Sequence, residues 1–137
     1  MNQVACDFLE CGVELDEVRT VQIIVRAALN RAGLLVATLY GGQQSYGVAA
    51  FAVVGDGYAV AAAYPENKSV LVEIVGCSDK SCEEAMKEFE KLLKSTRVVS
   101  HGAFIRGTHG LHANDHRDDP AGATKSAVLE DSQVCSA

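Results

Sequence analysis

The chain of 137 residues contains no tryptophan, and aromatic residues make up only 6% of it. Hydrophobic residues still account for 48%, so the expected core is made of Ala, Val, Leu and Ile and not of an aromatic-lined groove. Disorder of the whole chain is excluded on the same ground. Basic residues are also in short supply, with 12 Lys and Arg against 18 Asp and Glu and a formal net charge of −6. No long basic run offsets this. A nucleic-acid partner is therefore excluded, because such affinity comes largely from Lys and Arg neutralising phosphates. The opening Met1 to Glu10 has neither a basic stretch nor a long apolar one, and the apolar run from Gly47 to Tyr64 is cut by Asp56 and three glycines. A soluble, cytoplasmic protein without a membrane span is expected.

A further gap lies in the middle of the chain. From Tyr46 to Asn67 there is no Ser, Thr, Cys, His or Lys, which leaves few groups for acid, base or nucleophile work. The five cysteines, Cys6, Cys11, Cys77, Cys82 and Cys135, are odd in number and follow no secretory signal, so reduced thiols are expected instead of a disulfide framework. Cys6, Cys11, Cys77 and Cys82 have spacings compatible with a four-thiolate metal site, but the plainer reading is preferred and no metal is expected.

What is present reads as one domain over residues 1–107, with a polar tail over 108–137 that is expected to be disordered. Val4 to Leu9 suits a strand. An acidic turn, Glu14 to Glu17, opens a helix whose apolar positions Leu15, Val18, Val21, Val25, Leu29 and Ala32 recur every three or four residues, and Gly33 stops it. Four strands follow at Leu34–Tyr40, Gly47–Val54, Tyr58–Tyr64 and Ser69–Val75, with turns at Gly41–Gly42, Gly55–Asp56–Gly57 and Pro65–Lys68. A second amphipathic helix runs from Ser81, paired with Glu84 as a capping box, to Lys94, and Thr96–Ile105 returns as a strand. His101 is expected at the sheet edge.

The order β-α-β-β-β-β-α-β predicts an α+β fold, a two-layer sandwich in which two helices cover one face of an antiparallel sheet. The other face, rich in Ala and Val, has no sequence left to cover it, which predicts burial against a second copy or a related partner. In the tail, His109, His112 and His116 with Asp115, Asp118 and Asp119 are read as solvated, since gathering them around a metal carries an ordering cost.

Asp56 to Glu66 reads D-G-Y-A-V-A-A-A-Y-P-E, and the next strand ends V-G-C-S at Ser78. This resembles the small prokaryotic type of S-adenosylmethionine decarboxylase, whose signature usually runs E-S-H-x-S/T-I-H-T-Y/W-P-E before a strand ending F-T-C-G. The spacing to Cys77 matches without a gap, and Gly47-Val48-Ala49-Ala50 and Ile105-Arg106-Gly107 resemble further family segments. The resemblance implies the same fold over about residues 4–107.

That family makes a pyruvoyl group from its own backbone by attack of a serine hydroxyl on the preceding carbonyl. The matching residue here is Gly57, Ala62 stands in place of the histidine that assists processing, and Ala49 in place of a supporting serine. Cys77 alone matches a catalytic residue, the proton donor. No self-cleavage, no pyruvoyl group and hence no cofactor are expected, and the balance falls against an enzyme. In the family's pattern Tyr64 would line the substrate pocket, Glu66 would contact ribose hydroxyls, and Gln43 replaces an adenine-stacking aromatic.

The resemblance therefore implies a non-catalytic binding, regulatory or structural subunit. It would form a homodimer, a heterodimer with an active paralogue, or part of a larger assembly, with S-adenosylmethionine or a polyamine as the possible small ligand. The alternative is a decarboxylase of S-adenosylmethionine or an amino acid in polyamine and spermidine biosynthesis, with a relocated active group.

Overall fold

The computed structural model describes residues 2–105. The 108–137 tail, with its His and Asp cluster and Cys135, lies outside the described residues. The chain runs through β1 (Asn2–Leu9), α1 (Val18–Arg31), β2 (Val36–Gln44), β3 (Gly47–Val54), β4 (Gly57–Tyr64), β5 (Ser69–Val75), α2 (Asp79–Leu93) and β6 (Arg97–Ile105), with one 3-10 turn at Pro65–Asn67. The strands form a six-stranded sheet in the order β2-β3-β4-β5-β1-β6, and each neighbouring pair is antiparallel. The α+β sandwich and its element order are those expected from the sequence.

Alternation along the strands decides which face is buried. Val48, Ala50, Ala52 and Val54 of β3, Ala59, Ala61 and Ala63 of β4, and Val70, Val72 and Ile74 of β5 are all buried beneath the helices. α1 packs on β2 and β3, and α2 on β1 and on α1. The small residues of β3 and β4 bring the helix layer close, while Phe8 of β1 and Phe89 of α2, with ring centroids 6.1 Å apart, fill the far end. Each of these rings, fully buried, contributes about 1.5–3 kcal/mol of transfer free energy. Arg31 of α1 and Glu88 of α2 add an ion pair at 3.7 Å between the helices, worth little at that exposure.

Several local expectations need correction. α1 starts at Val18, after the acidic turn, so its first turn carries no acid, and Glu17 at the N-cap makes no side-chain bond. Leu15 is buried but precedes the helix, and the stripe is completed by Ile24 and Ala28. Gly33, at φ 83°, does end the helix in the left-handed region. β2 continues through Gly41 and Gly42 to Gln44, because both glycines pair, with Ala50 and Ala49, and the turn falls at Ser45–Tyr46 instead. After the 3-10 turn it is Lys68, at φ 52°, that takes the left-handed position.

α2 is capped by Ser78 and not by Ser81. The Ser81 backbone N–H donates to Ser78 Oγ at 3.1 Å, so Ser81 is the third helical residue. Ser78→Ala is expected to lower stability by about 1 kcal/mol, visible as a lower urea midpoint at unchanged slope, whereas Glu84→Ala should leave the midpoint within about 0.5 kcal/mol.

Candidate functional site

The residues singled out from the sequence fall into three places. Gly57 opens β4 and Tyr64 closes it. They are seven residues, or about 23 Å, apart, and odd separation puts them on opposite faces. Ala49 and Ala62 pair directly across β3 and β4, half-buried on the face away from the helices, with Ala62 two residues before Tyr64 on the same face of β4. Cys77 and Asp56 line one cavity, Ala62 a second and Ala49 a third.

At the first place the β3–β4 hairpin turns through Gly55 and Asp56, with Val54 paired to Gly57. Gly55 has φ 53°, the positive φ that a tight hairpin needs at its first turn position. Beyond β5 the chain passes Gly76, at φ 92°, and reaches Cys77, which lines a cavity of about 420 Å³ together with Gly55, Asp56, Gly33 and Leu34. Gly57 lies against this bend. A Cβ at Gly57 would come 1.9 Å from the Val75 carbonyl oxygen and 2.9 Å from the Gly76 Cα, and a Cβ at Gly76 would come 2.8 Å from the Gly57 Cα. The two glycines close on each other backbone to backbone. Gly76 stands where the family pattern quoted above has Thr. It was missed from the sequence because its contact with Gly57 depends on the β4–β5 register.

The pyruvoyl group does not fit these residues. Position 57 supplies no side-chain oxygen or sulfur to attack the Asp56 carbonyl, and the space a serine Cβ requires is filled by backbone.

Cys77 is half-buried. Burial pushes its thiol pKa up from the usual range, partly offset by a hydrogen bond with Cys82. Cys82, fully buried in α2, is pushed up to about 12, first by burial and then by Cys77. Cys77 directly precedes the Ser78 cap and Cys82 is the fourth helical residue, the positions of a hydrophobic staple. Burial likewise raises Cys11 to about 11.

A protonated Cys77 is a potential proton donor and a poor nucleophile. Because the folded thiol pKa values exceed the unfolded value of 9.0, their contribution to stability is complete below about pH 9 and is lost as pH rises toward 11–12. Urea midpoints should be flat from pH 7 to about 8.5 in this respect and fall above pH 9. Cys77 should alkylate with iodoacetamide more slowly at pH 8 than a free thiol.

At the second place Tyr64 precedes Pro65 and the exposed Glu66. One face of its ring stacks on Tyr46, with centroids 4.5 Å apart and planes at 24°, a partner the sequence did not reveal. Burial, with Tyr64 adding to it, raises the Tyr46 hydroxyl pKa. Gln43 is exposed, and its Nε2 donates to the Gly47 carbonyl oxygen at 2.9 Å, so its amide is tied to the β2–β3 hairpin. Gly47 itself is enclosed, since a Cβ there would lie 2.1 Å from the Ala63 carbonyl oxygen and 2.5 Å from Pro65 Cδ.

Between the two ends lies the open face of the sheet. Tyr40, Phe51 and Tyr58 form an aromatic ladder, with ring centroids 6.3 Å and 5.5 Å apart. Beside it Val60, Ala62, Leu71, Glu73, Ala5 and Asp7 line a shallow cavity of about 320 Å³. Toward β1 and β6 the face turns polar. Gln3 Nε2 donates to Glu73 Oε2 at 2.6 Å, and His101, on the edge strand as expected, meets Asp7 Oδ2 at 2.9 Å. Among the described residues no group of His, Cys, Asp and Glu is placed to hold a metal ion, and no helix is long and apolar enough to cross a membrane.

An antiparallel six-stranded sheet with both helices on one face, and a Gly-Cys bend beside the first residue of β4, is the sandwich that the sequence resemblance implies. Residues 2–107 match the family model of S-adenosylmethionine decarboxylase, and the chain belongs to that family. Among solved structures it is similar to the adenosylmethionine decarboxylase of Aquifex aeolicus, at a TM-score of 0.64 and 15% identity over 77% of this chain and 89% of that one. At that identity the likeness concerns the fold. No curated protein matches the chain.

Proposed function

We propose that this chain is a non-catalytic member of the S-adenosylmethionine decarboxylase family, neither self-cleaved nor pyruvoyl-bearing, which acts as a binding, regulatory or structural subunit through the open face of its sheet. The observation that carries this reading is Gly57, which lacks the attacking atom and is packed against Gly76 with no room for one. Ala62 and Ala49, at the two other emptied positions, pair with each other on the open face and contribute small apolar surface there.

The open face supports a protein partner better than a substrate pocket. Tyr40 is 61% exposed and Phe51 and Leu71 are each 38% exposed; Tyr40 and Phe51 adjoin, and Leu71 lies two strands further on, paired with Ala62, on a face that the chain's own helices do not cover. A homodimer, or a heterodimer with an active paralogue of the same fold, would bury this ladder. S-adenosylmethionine or a polyamine remains the small ligand to test at Tyr64 and Glu66. The enzyme alternative rests on Cys77 and its cavity, and the raised thiol pKa weighs against a nucleophilic role.

Intact-mass spectrometry of the purified protein tests the reading. One uncut chain, with no product from S-adenosylmethionine, ornithine or arginine, is the expected result. Fragments split between Asp56 and Gly57, or turnover abolished by Cys77→Ala, would overturn it.

A further inference from the structure

A second surface, separate from the open face, lies where α1 meets the sheet edge. β2 is a terminal strand of the sheet, so one side of its backbone, from Val36 to Gln44, pairs with β3 and the other has no neighbouring strand among the described residues. Edge strands of this length are commonly blunted by Lys, Pro or an inward charge. This one reads V-A-T-L-Y-G-G-Q-Q, with no charge and no proline. Beside it Arg19, Gln22, Ile23 and Arg26 of α1 and Leu39 of β2 line a groove of about 270 Å³. The Gln22 side chain lies over Gly41, where a Cβ would meet it at 2.7 Å, so a side chain on β2 would crowd the groove there.

The charges in this groove are unanswered. Arg31, one turn beyond Arg26, pairs with Glu88, but neither Arg19 nor Arg26 has an ion pair among the described residues. Both are exposed, and Ile23 between them is 57% exposed. Their positions on α1 are about 10 Å apart along the helix axis, with the apolar Ile23 at the midpoint, which is poor geometry for clamping one small anion. It suits an extended chain, whose same-face side chains recur about every 6.7 Å.

We propose that the free edge of β2 and the Arg19–Ile23–Arg26 face of α1 form a docking site for an extended acidic peptide of another protein, added to the sheet as a seventh strand. Its backbone would pair with β2, an apolar side chain would rest on Ile23 and Leu39, and carboxylates on either side would meet Arg19 and Arg26. Charge decides against a second copy at this edge. Two β2 strands related by a two-fold axis perpendicular to the sheet would bring the arginine faces of both α1 helices together on one side, and α1 itself carries no acidic residue to answer them. The site is independent of what covers the open face.

The test uses the full chain, isotope-labelled for amide NMR, titrated with a ten-residue peptide of repeating Glu-Thr-Val-Thr, which puts Glu and Val in turn on one face of the strand, and, separately, with its counterpart carrying Lys for Glu. The expected result is saturable shifts of β2 and α1 amides with the acidic peptide only, slowed hydrogen exchange along β2, and at least ten-fold weaker binding by R19E/R26E. Ile23→Ser should also weaken binding while the two arginines stay in place. Absence of shifts at β2 and α1 up to millimolar peptide, equal binding of the Lys peptide, undiminished binding by R19E/R26E, or shifts centred on Phe51 and Leu71 would each overturn the proposal. Displacement of the peptide by inorganic phosphate at equal concentration would also overturn it, reducing the site to a simple anion contact.

Discussion

Gly57→Ser is expected to leave the chain uncut and to lower its stability by about 2–3 kcal/mol. The serine would restore the atom that self-processing needs, but not a place for it. Its Cβ would overlap the Val75 carbonyl oxygen at 1.9 Å and press on Gly76 Cα at 2.9 Å. Both are backbone atoms of a strand end held by the β4–β5 ladder, so relief requires the ladder to open and not merely a rotamer to turn. Restoring the family's residue at position 76 alone meets the reciprocal obstacle, a Cβ 2.8 Å from Gly57 Cα at a left-handed φ. The two positions are therefore locked together. Urea denaturation gives the loss of stability, and intact mass after long incubation gives the processing result. A serine variant as stable as the parent, or one yielding fragments of 56 and 81 residues (137 − 56 = 81), would show that the bend is looser than its packing.

Phe51→Asp is expected to weaken self-association at least about 100-fold, equivalent to about 2.7 kcal/mol, while the monomer keeps its fold. Phe51 lies in the middle of the aromatic ladder, between Tyr40 and Tyr58. In a two-fold contact one substitution acts twice, removing two rings worth about 1.5–3 kcal/mol each and placing two carboxylates in an apolar interface. At 38% exposure the residue already touches water in the single chain, so far-ultraviolet circular dichroism should not change. Sedimentation across a concentration series reads the association. A wild-type chain that sediments as a monomer throughout would remove the homodimer and leave the related-partner form.

The fold was legible because its signals are local and mutually consistent. Alternation in β3 to β5, the 3.6-residue stripes of both helices and Gly33 as a stop each point to the same two-layer arrangement. The missed features are those in which a local signal competes with a distant one. Gly41–Gly42 looks like a turn, but cross-strand pairing with Ala49 and Ala50 carries the strand through it. Ser81 with Glu84 has the spacing of a capping box, but Ser78 takes the cap three residues earlier. At the candidate site, counting along the motif singled out Gly57, Ala62 and Ala49 as changed residues and Cys77 as the retained one, since each sits at a countable position. The closure of Gly57 on Gly76, the Tyr46 stack on Tyr64 and the arginine groove all depend on which residues the register brings together, and spacing alone does not show that.

The sheet order also has a consequence for how the molecule is made. β1, made before the other described strands, lies between β5 and β6, the last two of them, and pairs with Val70–Val75 on one side and Arg97–Ile105 on the other. The β2–β3–β4–β5 meander can zip up locally as it emerges, but the first strand must wait for its neighbours across some sixty to a hundred residues of chain. Closing loops of that length costs entropy before any pairing rewards it, which places this step late and makes it slow. A nascent chain stopped before Arg97 would carry β1 with one unpaired edge and Phe8 without full cover, so the last strand works as a seal on the assembly.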